Sequence, residues 1–291
     1  MLTLMEKIKT YAPPSYLGIP FARILMIGPV DAGKSSFFNT INSIFNGRIT
    51  QRITDGSTTV YRQYQIQTLM TGAALKFRLC DTCGVENIPT SYLKDLMCII
   101  EGKVPDGYKF NSSPPISSSI PNFEMHPELK DKVHCVVFVF DASTIDTIAE
   151  SIYEQLNELQ TRLNMIGLPR AVLLTKFDKI SQPLRDDLST VFSSVDVDVA
   201  VQKVVQKLRV PANKIHPIKN YENEIFLSDK ISTLSLLALD QILGFADDYL
   251  SIQGNINNEE NNSMFLLIAG FVLLIALAAI LSKLFGICTL F

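Results

Sequence analysis

The sequence lacks the excess of positive charge that marks a nucleic-acid-binding surface. Lysine and arginine together number 26, against 29 aspartates and glutamates, which gives a formal net charge of -3. A domain that binds nucleic acid usually carries a basic patch or an overall basic excess. We therefore expect no nucleic-acid partner.

Cysteine is also scarce, and the N-terminus lacks a long apolar run. The five cysteines are scattered along the chain, which argues against a zinc site and against a disulfide framework in 291 residues. This pattern favours a reducing compartment. Residues 1–14 (MLTLMEKIKTYAPP) contain no apolar run followed by a small-residue cleavage site, so we expect no secretory signal.

Apolar runs of strand length alternate with amphipathic helical patterns along most of the chain. The strongest strand is Val133–Phe140, whose consecutive apolar residues are typical of a parallel strand covered on both faces. Tyr61–Leu69 and Leu75–Cys80 flank a turn and predict an antiparallel hairpin. Further strands are predicted at Ala22–Ile27, Ala171–Thr175 and Lys214–Ile218, and helices at Ser35–Phe45, Ser91–Glu101, Thr147–Met165, Val195–Leu208 and Ser228–Leu250. This alternation predicts an α/β fold with a doubly wound, mostly parallel sheet.

The last forty residues have a different composition. Residues 251–262 are polar and Asn-rich, which predicts a flexible linker after a domain at 23–250, itself preceded by a lead segment at 1–22. Met264–Leu281 is uncharged throughout, and at about 1.5 Å per residue it just crosses a hydrocarbon core of roughly 30 Å. We therefore expect a transmembrane helix at 263–283 and a short tail at 284–291. A buried core helix and a helix used in self-association are the alternatives.

A membrane helix at this place predicts a single-pass, tail-anchored protein whose N-terminal domain faces the cytoplasm, where nucleotides are found. The flanking charges do not support this orientation, because Glu259 and Glu260 precede the apolar run and Lys283 follows it. Insertion of the tail after synthesis would override so weak a bias. The sequence does not identify the organelle.

The pattern that carries chemistry is Gly28–Ser35 (GPVDAGKS), which is glycine, four residues, and then Gly-Lys-Ser. It follows a predicted strand and opens a predicted helix, as a phosphate-binding P-loop does. Its backbone N–H groups would surround phosphates, Lys34 would reach the β- and γ-phosphates, and the Ser35 hydroxyl would bind Mg²⁺. The nucleotide-binding residues predicted in this loop are Gly28, Asp31, Ala32, Gly33, Lys34, Ser35 and Ser36.

Asp81-Thr82-Cys83-Gly84 ends the second strand of the predicted hairpin. An aspartate there can hold Mg²⁺ through water, and the Gly84 N–H can sense a γ-phosphate. A threonine that also binds the metal is expected just before Tyr61. We favour Thr58 for this role, with Thr59 and Thr54 as alternatives and a solvated turn threonine as an equal one.

A guanine-recognition motif is predicted after the next-to-last strand, at Thr175-Lys176-Phe177-Asp178. The carboxylate of Asp178 can accept hydrogen bonds from guanine N1–H and from the 2-amino group, which adenine does not offer in this arrangement. The stem of Lys176 can lie along the base. Most such GTPases carry Asn where Thr175 stands, and a solvated charged loop is the alternative. Asn220, after the last strand, is assigned to the base site by position alone.

Two features bear on hydrolysis. Val85 stands where many small GTPases have the glutamine that orients the attacking water, so intrinsic hydrolysis should be slow unless a partner or second subunit supplies the group. Asp31 places a carboxylate inside the P-loop. It either turns outward, which we favour, or is compensated by a cation.

Taken together, the motifs resemble the GTPase-like region of the interferon-induced protein 44 family. The resemblance is carried by five segments, namely Arg23–Thr50, Leu93–Asn111, Leu129–Thr144, Ala171–Asp178 and Ala246–Leu250. It implies a nucleotide-binding α/β domain, cytoplasmic location and a role in interferon-linked or antiviral responses. By position it also implies phosphate contacts from Gly28, Gly33, Lys34 and Ser35, with Asp81 and Gly84 in the metal and sensing places. The apolar tail is a departure from the family.

These observations predict a membrane-tethered switch that binds GTP or GDP with Mg²⁺ and hydrolyses GTP slowly. Ser35, Thr58 and Asp81 are the candidate metal ligands, and a homodimer or a protein effector is a candidate partner. The alternatives are an immune-response scaffold in which nucleotide is structural or absent, and an adenine-specific ATPase. The sequence does not decide whether the chain is an enzyme.

Overall fold

The computed structural model describes residues 1–53, 60–69, 71–85, 91–110 and 116–288, with part of the side chains beyond residue 256 left out. By packing, the chain divides into two units, Met1–Leu250 and Ser251–Phe291. The first unit holds every residue of the predicted site. The domain boundaries inferred from the sequence stay a prediction.

A six-stranded sheet forms the centre of the first unit, in the order β2-β3-β1-β4-β5-β6. Only β2 runs antiparallel to its neighbour, and the other pairs are parallel. The strands are β1 (Ala22–Ile27), β2 (Arg62–Gln67), β3 (Ala74–Asp81), β4 (Cys135–Asp141), β5 (Arg170–Thr175) and β6 (Ile215–Pro217). The predicted α/β class with a mostly parallel sheet is thereby confirmed.

The α-helices among the described residues are α1 (Leu2–Lys9), α2 (Lys34–Asn46), α3 (Ser91–Ile100), α4 (Glu150–Met165), α5 (Gln182–Asp186), α6 (Val195–Leu208) and α7 (Asp229–Cys288). Helix α2 begins after Gly33 and ends before Gly47, both in the left-handed conformation that glycine adopts without strain. Helix α6 begins at Ser194, whose hydroxyl accepts the Val197 N–H.

The sheet is buried because its central strands are apolar on both faces. All seven residues of β4 are buried, which is the consequence of its unbroken apolar sequence. On one side, α2 packs Phe37, Phe38 and Ile41 against the sheet. Burial of three side chains of this size is worth several kcal/mol, at roughly 1.5–3 kcal/mol each. This packing fixes the start of α2 and hence the loop that precedes it.

The carboxyl ends of the parallel strands place polar residues at one edge of the sheet. The P-loop leaves β1 there, and Asp81, Asp141 and Thr175 end β3, β4 and β5. Strands β3 and β4 lie on opposite sides of β1 in the sheet. The carboxyl ends of these strands therefore form the topological switch point, where α/β sheets bind ligands.

The lead segment at 1–22 packs against the rest of the first unit. Ile8 of α1 is fully buried, and the Tyr11 hydroxyl donates to Asp247 at 2.7 Å. An ion pair of 2.7 Å joins Lys7 to Asp240. No apolar period is long enough to predict this helix, because α1 has only eight residues and buries one of them.

The linker predicted at 251–262 has helical backbone, since α7 spans Asp229–Cys288. The polar linker at 251–262 stays a prediction; its backbone is helical, in a segment that contains no proline. Over the described residues, no helix has the length and apolar character needed to cross a membrane. Most side chains of the apolar run Met264–Leu281 lie outside the described set.

Candidate nucleotide-binding site

A cleft of about 370 Å³ opens at the carboxyl edge of the sheet, between the P-loop and the loops that follow β3, β5 and β6. Nine of the predicted site residues line it, namely Asp31, Gly33, Lys34, Ser35, Ser36, Gly84, Lys176, Asp178 and Asn220. Four further predicted residues do not line the cleft but make the contacts described below, namely Gly28, Ala32, Asp81 and Thr175. Thr58 falls outside the residues that the structure describes, as do Thr54 and Thr59.

The P-loop is closed around the Lys34 ammonium group. Its Nζ donates to the carbonyl oxygens of Gly28 at 2.8 Å and Pro29 at 2.7 Å, and the side chain is buried. The positive charge is therefore held inside a loop whose next element is the N-terminus of α2. A helix N-terminus and a fixed ammonium both favour a bound anion.

Three side chains from the loops beyond β5 and β6 hold three consecutive P-loop carbonyls. Lys176 Nζ donates to the Asp31 carbonyl at 2.7 Å, Thr175 Oγ1 to the Ala32 carbonyl at 2.7 Å, and Asn220 Nδ2 to the Gly33 carbonyl at 3.1 Å. In a trans peptide the N–H points opposite to the C=O. The N–H groups of Gly33 and Lys34 therefore point away from the carbonyl oxygens that Thr175 and Asn220 hold.

Gly33 is required where the loop meets the helix. Its φ of +97° is strained for any other residue, and a β-carbon added to it would lie 2.9 Å from Asn220 Nδ2 and 3.3 Å from Thr175 Cγ2. A larger residue would therefore push apart the groups that hold the loop.

Thr175, which stands where most such GTPases carry asparagine, contacts the P-loop. Its hydroxyl is fully buried, lies 2.7 Å from the Ala32 carbonyl and is also 3.1 Å from the Phe140 carbonyl. It thereby links β4, β5 and the P-loop. Lys176 completes this region with an ion pair of 3.0 Å to Asp141.

Asp141 is a site residue that sequence reasoning missed. It ends β4, pairs with Lys176, and accepts the N–H and hydroxyl of Ser143 at 2.8 and 2.6 Å. The available signal was its position, because an acidic residue at the carboxyl end of a buried parallel strand lies at the ligand-binding edge of the sheet.

The donor set for a metal consists of oxygen atoms. The Ser35 hydroxyl donates to Asp81 Oδ2 at 2.6 Å, and Asp81 is buried at the end of β3. A hydroxyl and a carboxylate are ligands that Mg²⁺ accepts, the remainder being supplied by phosphate and water. The described residues contain no group of three or more His, Cys, Asp or Glu side chains that would hold a metal alone. Ser35 and Asp81 thus fit a magnesium ion that arrives with a polyphosphate.

The loop after β3 lies against the P-loop. A β-carbon added to Gly84 would lie 2.7 Å from the Val30 amide nitrogen, and the Val85 N–H donates to the Gly28 carbonyl at 3.1 Å. The Val85 side chain is fully buried. It therefore faces the core.

The end of the cleft at Asp178, which the sequence motif assigns to the base, is ionic. Lys219 Nζ lies 3.6 Å from Asp178 Oδ2 and 2.8 Å from Glu224 Oε1. Burial alone would lower the pKa of Lys219, but the hydrogen bond to Glu224 and the charge of Asp178 outweigh it and raise that pKa above its usual value. Lys219 is consequently charged at neutral pH.

Asp31 lies on the cleft rim with φ of +58°, and its side chain is exposed. This agrees with the expectation that the carboxylate turns outward. The positive φ is costly for a non-glycine residue. The hydrogen bond from Lys176 to its carbonyl holds the conformation.

Comparison with known proteins identifies the family to which the chain belongs. The family model described as "50S ribosome-binding GTPase" matches residues 23–176. The chain is similar to human "Interferon-induced protein 44-like" (35% identical over 254 residues, 85% of this chain and 56% of that protein). It is also similar to human "Interferon-induced protein 44" (33% identical, 85% and 57%) and to its mouse counterpart (31% identical, 85% and 60%).

The chain thus spans less than two thirds of the length of these curated relatives. The matched family region runs from β1 through the P-loop to Lys176, so it contains the phosphate side of the cleft. The chain belongs to the GTPase family that this model describes, and its predicted resemblance to the interferon-induced protein 44 family is confirmed.

Proposed function

We propose that this chain binds GTP and GDP with Mg²⁺ and acts as a slow GTPase switch. One observation carries the proposal: Lys34 and Asp178 lie along a single cleft whose P-loop carbonyls are held by Lys176, Thr175 and Asn220. A preformed cradle reduces the ordering cost of binding.

Each residue has a stated task in this proposal. The amides of Gly33 and Lys34, with the Lys34 ammonium, bind the phosphates, and Ser35 and Asp81 hold the magnesium ion. The metal, when bound, neutralises phosphate charge. Asp178 accepts from guanine N1–H and the 2-amino group. A γ-phosphate would contact the Gly84 N–H and, through the segment that contains Thr58, change a surface that an effector or a second copy reads.

The test is a calorimetric titration of the full chain with GDP, GTP and ATP in the presence of Mg²⁺. GDP and GTP should bind, and ATP should bind at least tenfold more weakly. Asp178→Asn should weaken GDP by about ten- to a hundredfold, since a charge-assisted hydrogen bond is worth about 1.5–3 kcal/mol. Asp248→Asn, an exposed change on α7, is the matched control. Equal affinity for ATP and GTP would refute guanine selectivity.

A second candidate function is a protein-interaction scaffold in which nucleotide is structural. It is favoured by the burial of Val85, because the residue after Gly84 contributes nothing to the placement of water. Phosphate release from GTP separates the two functions. A GTPase should exceed the Lys34→Met blank, whereas a scaffold should match it while still binding GDP.

The membrane tether is proposed from the sequence of 264–281 alone. A domain held at a bilayer by this run should float with phospholipid vesicles in a density gradient. Leu273→Asp combined with Leu277→Asp should abolish flotation, because a carboxylate near the centre of a span costs about 2.5–3.5 kcal/mol. Equal flotation of the parent and the double variant would contradict the tether.

An interferon link is proposed from the names of the relatives. Cells that express the chain from its own promoter should raise its abundance after interferon treatment. An unchanged abundance, with a known interferon-responsive protein rising in the same cells, would contradict the link.

A further inference from the structure

Lys219 stands at the base end of the cleft beside the carboxylate assigned to guanine. Its Nζ is 3.6 Å from Asp178 Oδ2, and both side chains line the same cleft. Only 19% of the Lys219 side chain and 14% of the Asp178 side chain are exposed. An acceptor and a cationic donor are therefore presented next to each other to whatever enters.

The backbone on both sides of Lys219 is fixed. The Ile218 N–H donates to the Leu174 carbonyl at 2.9 Å, and Ile218 is fully buried. Asn220 donates to the Gly33 carbonyl at 3.1 Å and accepts from Thr40 at 3.3 Å. Lys219 is thus placed by the same contacts that hold the P-loop.

Glu224 orients the ammonium group without using all of its donors. It accepts from Lys219 at 2.8 Å, and an ammonium has three N–H donors. Glu224 takes one of these donors, and Asp178 Oδ2 lies 3.6 Å from Nζ, beyond hydrogen-bond distance, so donors remain for a ligand. A charged lysine held in this way is a specific donor, because its rotamer is already restricted before the ligand arrives.

The arrangement matches one edge of guanine and mismatches the same edge of adenine. Guanine presents the O6 acceptor next to N1–H, whereas adenine presents the N6 amino donor next to an N1 acceptor. Against Asp178 and Lys219, guanine offers a donor to the carboxylate and an acceptor to the ammonium. Adenine offers the reverse at both positions.

We propose that Lys219 is a second base-reading residue, whose ammonium donates to guanine O6 while Asp178 accepts from N1–H and the 2-amino group. The proposal rests on the proposed function, since it names how that site selects its base. It assigns half of the discrimination against adenine to a residue outside the Thr175–Asp178 motif.

The experiment compares Lys219→Met with the parent chain by titration with GDP, ADP and 6-thioguanosine diphosphate, all with Mg²⁺. The sulfur analogue keeps N1–H and the 2-amino group but replaces O6 with a weak acceptor. The parent should bind GDP at least fivefold more tightly than the analogue. Lys219→Met should weaken GDP about tenfold or more, leave ADP no weaker, and remove the preference for GDP over the analogue.

Two further variants distinguish a hydrogen bond from Lys219 to guanine O6 from a purely structural role of Lys219 in its loop. Lys219→Arg keeps a cationic donor and should restore most of the preference for GDP. Lys179→Met removes an exposed lysine in the adjacent loop, paired with Glu222 at 3.8 Å, and should change nothing. The comparison of GDP with its analogue on the parent needs no variant, so it stands even if Lys219→Met does not fold.

Each outcome decides the matter. GDP binding that is unchanged or tighter in Lys219→Met would show that Lys219 only covers Asp178, and equal weakening of GDP and ADP would show that it only supports the loop. Either result overturns the proposal while the proposed function stands. If the parent binds no guanine nucleotide, the proposed function fails first and the role of Lys219 fails with it.

Discussion

The hydroxyl of Thr175 offers the sharpest test of how the P-loop is held. Replacing Thr175 with Val keeps the shape of the side chain and removes the hydrogen bond to the Ala32 carbonyl. Loss of one partner from a buried pair costs about 1–3 kcal/mol. For the unit Met1–Leu250, a loss of 1 kcal/mol corresponds to about 2–4 °C in the melting temperature, so a decrease of about 2–12 °C is expected.

The same change should also weaken nucleotide binding, because the Ala32 carbonyl is then free to rotate and the adjoining Gly33 N–H rotates with it. Loss of one well-placed bond to phosphate corresponds to about a tenfold increase in the Kd for GDP. Thermal unfolding and calorimetric titration measure the two effects. Thr175→Ser keeps the hydroxyl and should stay close to the parent in both. A Thr175→Val chain that melts and binds GDP like the parent would refute the argument that this hydroxyl holds the loop.

Two other predictions concern buried groups. Val85→Gln should lower the melting temperature without raising the rate of phosphate release from GTP. The side chain at position 85 enters the core, where an unpaired amide costs about 1–3 kcal/mol. Faster phosphate release from the variant would contradict this. His134 accepts the Arg23 N–H at Nδ1 and faces the Leu129 carbonyl with Nε2, both at 2.9 Å, and burial lowers its pKa to about 4. The folded state therefore binds its proton less readily than the unfolded state, so stability falls as pH drops from about 6.5 to about 4, by about 3 kcal/mol in total. Urea unfolding across this range should show the parent losing about that much more than His134→Gln, and equal losses would contradict the assignment.

The sequence predicted the elements of the first unit well where a pattern was strong. Ala22–Ile27 and Val195–Leu208 have the predicted bounds. The other strands and long helices differ by a few residues at their ends, except that the helix predicted at Ser228–Leu250 continues as α7 to Cys288. Strands such as β4 are recognisable because burial on both faces leaves an unbroken apolar run. The short helices α1 and α5 were missed, since eight and five residues give no helical period to read.

The motifs of the candidate site could be predicted from the sequence, but the hydrogen bonds between them could not. The P-loop, Asp81 and the Thr175–Asp178 motif could be recognised from residue types at fixed spacing. The contact of Thr175 with Ala32 joins residues far apart in sequence, as does that of Asn220 with Gly33, and no local pattern encodes such pairs. The inward direction of Val85 was likewise a property of the packing: the sequence shows an apolar residue there, and only the fold shows that it enters the core.

The tail illustrates a different limit. A long enough run of uncharged, apolar residues predicts a membrane span from hydrophobicity alone. The polar composition of 251–262 predicted a flexible linker, and the backbone of this segment is helical. Composition does not account for that helix, because Gly254 and the five asparagines of 251–262 are poor helix formers. The span itself stays a prediction, to be decided by the flotation experiment.

The most direct test of the central claim is a titration of the full chain with GDP and Mg²⁺, compared with the Lys34→Met variant. Lys34 supplies the buried positive charge of the loop, so its removal should weaken GDP by at least a hundredfold while circular dichroism shows the helical content retained. Lys179→Met, exposed and outside the cleft lining, should bind like the parent. A Lys34→Met chain that binds GDP as tightly as the parent would contradict the account.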